Sequence, residues 1–290
     1  MARAHPLKQL PLQGERAFDQ HWWQTWEATA LSDRFGTSPV ELNALLWDVD
    51  GTLAETEFHG HRLAFNQAFA DADLPWRWDE RTYRQLLAVS GGRERIRAFV
   101  EQLPEPSISA VQVESLMAAK QKAYAHLART GCLPLQPGVK RLVLEAAAQG
   151  VCQALVTTSS RSAVAALLEG HGSELAQCFD FWICGEDVEA KKPNPEGYEQ
   201  ALRRLQLPAS QVLALEDSPQ GLAAAMDAGL PCVLTLGEPP GSSEPRWWQR
   251  ATASLTHLGE KENPTQVVHG PPCEQAEVTL SWLSRLLEEA

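Results

Sequence analysis

From Pro137 to Leu236 short apolar runs alternate with segments of helical period, and this alternation constrains the fold more than any other feature. The runs Cys152–Thr157, Phe181–Cys184, Val212–Leu215 and Cys232–Leu236 are short and mostly apolar, as strands covered on both faces are. Between and around them lie Val139–Gln149, Arg161–Glu169, Pro195–Leu205 and Pro219–Ala228, each with helical spacing. Parallel neighbours need a crossover of about a dozen residues, which a helix supplies, so the series predicts an α/β fold. The expected core is a Rossmann-like parallel sheet with helices on both faces. Ala44-Leu45-Leu46-Trp47 is an earlier run of the same kind. After it come His59–Ala70, Asp79–Ala88, Arg93–Leu103 and Ala110–Arg129, helix after helix with no strand, which predicts an inserted all-helical cap domain. The expected division is an N-terminal extension (1–42), a core (43–55 and 131–290) and a cap (56–130). Ala251–His257 reads as a last short strand and Glu274–Leu287 as a closing amphipathic helix.

Residues just past the carboxyl ends of parallel strands converge on one crevice, whatever their separation in sequence. Four stations fall there. Asp48-Val49-Asp50-Gly51-Thr52 follows the first strand, and carboxylates at i and i+2 point to one side of it. Thr157-Thr158-Ser159 ends the second strand in hydroxyls, Lys191-Lys192-Pro193 precedes a helix, and Glu216-Asp217 ends the strand Val212–Leu215. Taken singly each has an ordinary reading: Asp-Gly as a turn, Thr157 as a helix cap, Lys192 as a solvated lysine. Together they have the parts that phosphoryl transfer requires: an in-line nucleophile, cancellation of the dianion's charge and a proton for the leaving oxygen. Asp48 is the expected nucleophile, forming an aspartyl-phosphate, and Asp50 the acid/base. Thr157, with Thr158 and Ser159, would hydrogen-bond the phosphoryl oxygens, and Lys192 would supply point charge. Asp48, Asp217, Glu216 and Asp50, the last through its main-chain carbonyl, form an oxygen donor set suited to Mg²⁺.

These stations, in this order, resemble the haloacid dehalogenase-like (HAD) phosphatase superfamily. Asp48-Val49-Asp50-Gly51-Thr52-Leu53-Ala54-Glu55-Thr56-Glu57, then Gly60-His61-Arg62 and Gly91-Gly92-Arg93-Glu94-Arg95, is similar to its CbbY-type subgroup, which includes xylulose-1,5-bisphosphate phosphatases and lies near β-phosphoglucomutase. The resemblance spans about residues 44–257. It implies a Mg²⁺-dependent sugar-phosphate phosphatase, with a ketopentose bisphosphate as substrate. It also implies that Gly92, Arg93 and Arg95 grip the non-reacting phosphate, that Glu55 and Thr56 lie at the hinge side, and that His61, with His59 as the alternative, faces the substrate. The basic turn can also be read as a solvated helix start. A phosphomutase using the same intermediate and a non-catalytic binding protein on the same fold are the other functional readings.

A net charge of −12 and a pI near 5.2 argue against a nucleic-acid partner, and an anionic substrate must then be met by a local cluster of cations. The six cysteines include no Cys-x-x-Cys pair, and Cys152, Cys184 and Cys232 fall in core strands, which suits a reducing compartment. No apolar stretch is long enough to span a membrane. The expectation is a monomeric cytoplasmic protein with no membrane partner. Arg3 and Lys8 ahead of the first acid, Glu15, leave a plastid stroma address as the alternative, and Trp22, Trp23 and Trp26 suggest a short helix packed on the core.

Overall fold

The structure, a computed structural model, describes residues 41–289 apart from Ser90, 105–107 and 242–244. The expected N-terminal helix around Trp22, Trp23 and Trp26 lies outside these residues. A seven-stranded sheet forms the frame, built from β1 (Ala44–Trp47), β2 (Cys152–Val156), β3 (Phe181–Ile183), β4 (Val212–Glu216), β5 (Cys232–Thr235), β6 (Ala253–Leu255) and β7 (Val267–His269). Its order is β3-β2-β1-β4-β5-β6-β7. All pairings are parallel except β6 with β7, where Leu255 faces Val267. The expected Rossmann-like parallel sheet is present, with an antiparallel strand added at its edge. From β1 the chain first builds outward through β2 and β3, then returns to β4 on the other side, so β1 and β4 flank the point where ligands bind in such sheets.

Strand alternation divides the core in two. Leu45 and Trp47 enter one apolar layer with Val143 and Leu167, while Ala44 and Leu46 enter the other with Tyr198 and Leu222. The covering helices are α5 (Val139–Ala148), α6 (Arg161–His171), the single turn α7 (Ser173–Ala176), α8 (Glu196–Leu205), α9 (Pro219–Asp227) and α10 (Leu280–Glu289). Helix α10 is shorter than the sequence suggested, because Ala276 takes a positive φ of 52° and the Thr279 hydroxyl then accepts from the Trp282 N–H as a cap. Cys184 and Cys232 are buried and Cys152 half-buried.

Between β1 and β2 run a π-helical turn (Glu57–His61), α1 (Arg62–Asp71), α2 (Glu80–Leu86), α3 (Gly92–Val100) and α4 (Ala110–Arg129). Asp79 caps α2, and Ser109 with Gln112 closes a reciprocal capping box on α4. These helices bury their own core, in which Phe65, Phe69, Trp78 and Tyr83 interlock at ring separations of 4.6–6.4 Å. No helix among the described residues is long and apolar enough to cross a membrane.

Candidate active site

Asp48 continues the β1 ladder, its N–H donating to Leu215 O, so the carboxylate emerges where the sheet ends. Glu216 closes β4 beside it and Asp217 follows. Gly51 lets the chain turn sharply at φ +91°, and any Cβ there would lie 2.0 Å from Asp217 Oδ2. Lys192 reaches into this group. Its ammonium donates to Asp48 Oδ1 (2.6 Å) and Val156 O (2.7 Å) and lies 2.6 Å from Glu216 Oε1. Tyr198 donates its hydroxyl to the same Glu216 oxygen at 2.6 Å.

The charges at this end do not balance. One oxygen from each of Asp48, Glu216 and Asp217 lies within 4.8 Å of the others, and among the described residues the ammonium within reach is that of Lys192. Burial raises the Asp48 pKa to about 8 against the pull of Lys192, with Glu216 and Asp50 adding to the rise. Burial, then repulsion from Asp48 and Glu216, pushes Asp217 well above the carboxylate range. The Lys192 ammonium is held charged: burial would lower it, but Asp48 and Glu216 outweigh that. Three desolvated carboxylates facing one ammonium form the donor set that a hard divalent cation would neutralise, so the residues present fit such an ion.

Asp50 is engaged differently. Its Oδ1 accepts from Thr56 Oγ1 at 2.5 Å and meets His61 Nε2 at 2.9 Å, and its Oδ2 accepts from Ser159 Oγ. Burial alone would raise its pKa, yet His61, Ser159 and Thr56 together hold it far below the usual range. Behind His61 stands Lys120 of α4, whose Nζ lies 2.8 Å from His61 Nδ1. Burial lowers the Lys120 pKa to about 8, and Asp50 and Glu57 moderate the drop.

Two cavities flank Asp50. One, of about 400 Å³, opens on Asp48, Lys192 and Asp217 beneath Leu87 and Arg95 of the helical insert. The other, of about 210 Å³, is bounded by His61, Lys120, Ser159, Gly92 and Lys191. Thr158, Glu57 and Arg95 border both.

The structure brings most of the expected residues together and removes some from direct contact. His61 is buried in the site and His59 is exposed. Glu55 does not line either cavity: its Oε1 accepts from the Phe58 N–H and fastens the π-helical turn. Thr56 is fully buried behind Asp50, so its hydroxyl orients a carboxylate and does not face a ligand. Arg93 borders the smaller cavity, but its guanidinium is forked onto Glu114 at 2.6 and 2.9 Å. Arg95 donates to Tyr83 Oη (2.8 Å) and Val89 O (3.4 Å) and sits 3.6 Å from Glu57 Oε2. The Asp50 carboxylate is spent on Thr56, His61 and Ser159, which leaves only its carbonyl for the metal group. Thr157 is buried at the end of β2, its Oγ1 accepting from the Ser159 N–H and steadying the loop that presents Ser159.

Lys120, Tyr198 and Glu57 escaped the sequence reading. Lys120 carried a signal: it lies on the same helical stripe as Val113, Leu116, Met117 and Tyr124, where a lone lysine interrupts an apolar face.

Residues 42–229 match the family model for haloacid dehalogenase-like hydrolases. Protein CbbY of Cereibacter sphaeroides is 41% identical over 198 residues, covering 68% of this chain and 85% of that protein. Protein CbbY of Rhodobacter capsulatus is 43% identical over 200 residues, covering 69% and 87%. A crystal structure of a CbbY variant from Rhodobacter sphaeroides in complex with xylulose 1,5-bisphosphate superposes with a TM-score of 0.63 at 39% identity, over 69% of this chain and 87% of that one. The chain belongs to the haloacid dehalogenase-like hydrolases, in their CbbY-type subgroup. It is a phosphatase of that family.

Proposed function

We propose that the protein hydrolyses one phosphate from a ketopentose bisphosphate such as xylulose 1,5-bisphosphate, through an aspartyl-phosphate on Asp48 and with Mg²⁺ as its ion. The observation that carries the reading is the Asp48 carboxylate at the floor of the 400 Å³ cavity, held by Lys192 and facing Asp217, with Asp50 beside it. The bisphosphate complex of the Rhodobacter sphaeroides relative supports the choice of substrate. In the first half-reaction Asp48 Oδ attacks phosphorus and the sugar oxygen leaves, taking a proton delivered at Asp50. The chain Lys120, His61, Asp50 supplies that proton and fixes the orientation of the Asp50 carboxyl. In the second half-reaction Asp50, ionised again, takes a proton from the water that opens the acyl-phosphate. Lys192 offsets charge on Asp48 throughout, and Thr158, which borders the larger cavity just past β2, meets the phosphoryl oxygens, while Ser159 holds Asp50. Mg²⁺ on Asp48, Asp217 and Glu216, with the Asp50 carbonyl, would neutralise the phosphoryl group and keep Asp48 ionised.

The test is phosphate release from xylulose 1,5-bisphosphate and from sugar monophosphates, with Mg²⁺ and with EDTA. One phosphate per bisphosphate, no bisphosphate activator and complete loss with EDTA are expected. Return of the phosphoryl group to another sugar hydroxyl would make the enzyme a mutase instead.

A further inference from the structure

The two oxygens of the buried Glu216 carboxylate are engaged unequally. Each carboxylate oxygen offers about two lone-pair positions. On Oε1 both are taken, one by Lys192 Nζ at 2.6 Å and one by the Tyr198 hydroxyl at 2.6 Å. Oε2 accepts a single long bond, from the Asp217 N–H at 3.3 Å, so a position on it stays open. The two donors on Oε1 also differ from each other. The Lys192 ammonium serves Asp48 Oδ1 and Val156 O as well. Tyr198, buried on α8 in the apolar layer with Leu46 and Leu222, bonds through its hydroxyl to Glu216 alone among the described residues. Its ring lies 5.2 Å from the same ammonium.

We propose that Tyr198 is a positioning residue that selects the ion: by occupying Oε1 of Glu216 it leaves Oε2 as the one oxygen on offer, and so favours Mg²⁺ over Ca²⁺. The inference rests on the Mg²⁺ reading above and adds to it a residue that touches neither ion nor substrate. Mg²⁺ demands near-octahedral geometry and keeps several waters, so single carboxylate oxygens suit it. Ca²⁺ is larger, takes about six to eight oxygens, and readily binds both oxygens of one carboxylate. With Oε1 tied to two donors that mode is closed at Glu216. Lys192 is a poor guard by itself, because its ammonium must also follow Asp48 as that carboxylate reacts. Tyr198 has no second acceptor to follow.

The experiment is calorimetric titration of the EDTA-treated full chain with Mg²⁺ and with Ca²⁺, on wild type, Tyr198→Phe, Glu216→Gln and the double variant, each with a melting curve in EDTA. Phenylalanine keeps the ring and its place over the ammonium, so Tyr198→Phe is expected to fold. It should lower the ratio of Mg²⁺ to Ca²⁺ affinity about tenfold, chiefly through tighter Ca²⁺ binding. Phosphate release from p-nitrophenyl phosphate in Mg²⁺ should become more sensitive to added Ca²⁺ by about the same factor. In the Glu216→Gln background the tyrosine substitution should leave the ratio where it is, since the effect passes through that carboxylate. An unchanged ratio in Tyr198→Phe would overturn the assignment. So would equal losses for both ions, which would reduce Tyr198 to packing, or a shift that persists in the Glu216→Gln background. Where wild type binds Mg²⁺, these results sink the role of Tyr198 alone. Wild type that binds neither ion would remove the Mg²⁺ reading together with it.

Discussion

Lys192 uses its ammonium on Asp48, Glu216 and Val156 O, and little of it is open to solvent. Removing one member of a buried ionic group leaves the others uncompensated, at a cost of about 3–5 kcal/mol. Lys192→Met should therefore lower unfolding free energy by about that amount when measured in EDTA, and turnover should vanish even where the variant still folds. A variant as stable as wild type would show that the Lys192 ammonium does not compensate buried charge in the resting protein. Lys120 presents the opposite balance. Its pKa, about 8 in the folded protein against an ordinary 10.5, means that the unfolded chain holds the proton more tightly. Stability is thus reduced in full below pH 8, and the deficit fades as pH rises toward 10.5. Lys120→Met should raise unfolding free energy by about 2–3 kcal/mol at pH 7 and by about half as much at pH 9.5, while activity falls. A pH-independent gain would remove the buried charge as its cause. At this scale the acids, hydroxyls and lysine at the strand ends were legible because sheet geometry forces them together. Adjacency to the motif set Glu55 and Thr56 at the hinge side but does not say which way a side chain turns, so their bonds to the Phe58 N–H and to Asp50 were not legible. Tyr198, which holds Glu216, looks in sequence like any apolar-face aromatic of a helix.

Helix α9 meets the end of β4 through Gly221. A Cβ there would fall 1.9–2.3 Å from the Glu216 carboxylate atoms, so no side chain fits while Glu216 keeps its place. Gly221→Ala should displace Glu216 from Lys192 and Tyr198, reducing activity at least tenfold and weakening Mg²⁺ binding in a titration, with a melting temperature several degrees lower. Full activity would mean that Glu216 is not needed where the structure puts it. The same scale shows what sequence conveys about elements. Strands β1 to β5 and helices α4 and α5 stand out because apolar runs and helical spacing persist for a full element. Strand β7 does not, since three half-buried residues give no alternation to read and its pairing with β6 is set by tertiary contact. The early start expected for α10 came from composition alone, whereas the turn at Ala276 depends on packing against Leu258, whose carbonyl accepts the Val278 N–H.

Across the whole molecule the core supplies nucleophile, charge and ion donors, and the helical insert supplies His61, Lys120, Arg95 and the Gly91-Gly92 turn. Neither part alone has the full set. Deleting residues 1–40 removes none of the described residues that border the two cavities, so the truncated protein is expected to keep its phosphatase activity; loss of folding would place that segment in the core. The central claim is that Asp48 is phosphorylated during turnover. It is tested most directly by acid-quenching the enzyme during hydrolysis of labelled bisphosphate and counting label on the precipitated protein. Label on wild type that hydroxylamine releases, as it does an acyl-phosphate, is expected, with none on folded Asp48→Asn. Steady phosphate release by Asp48→Asn, or label that persists in that variant, would contradict it.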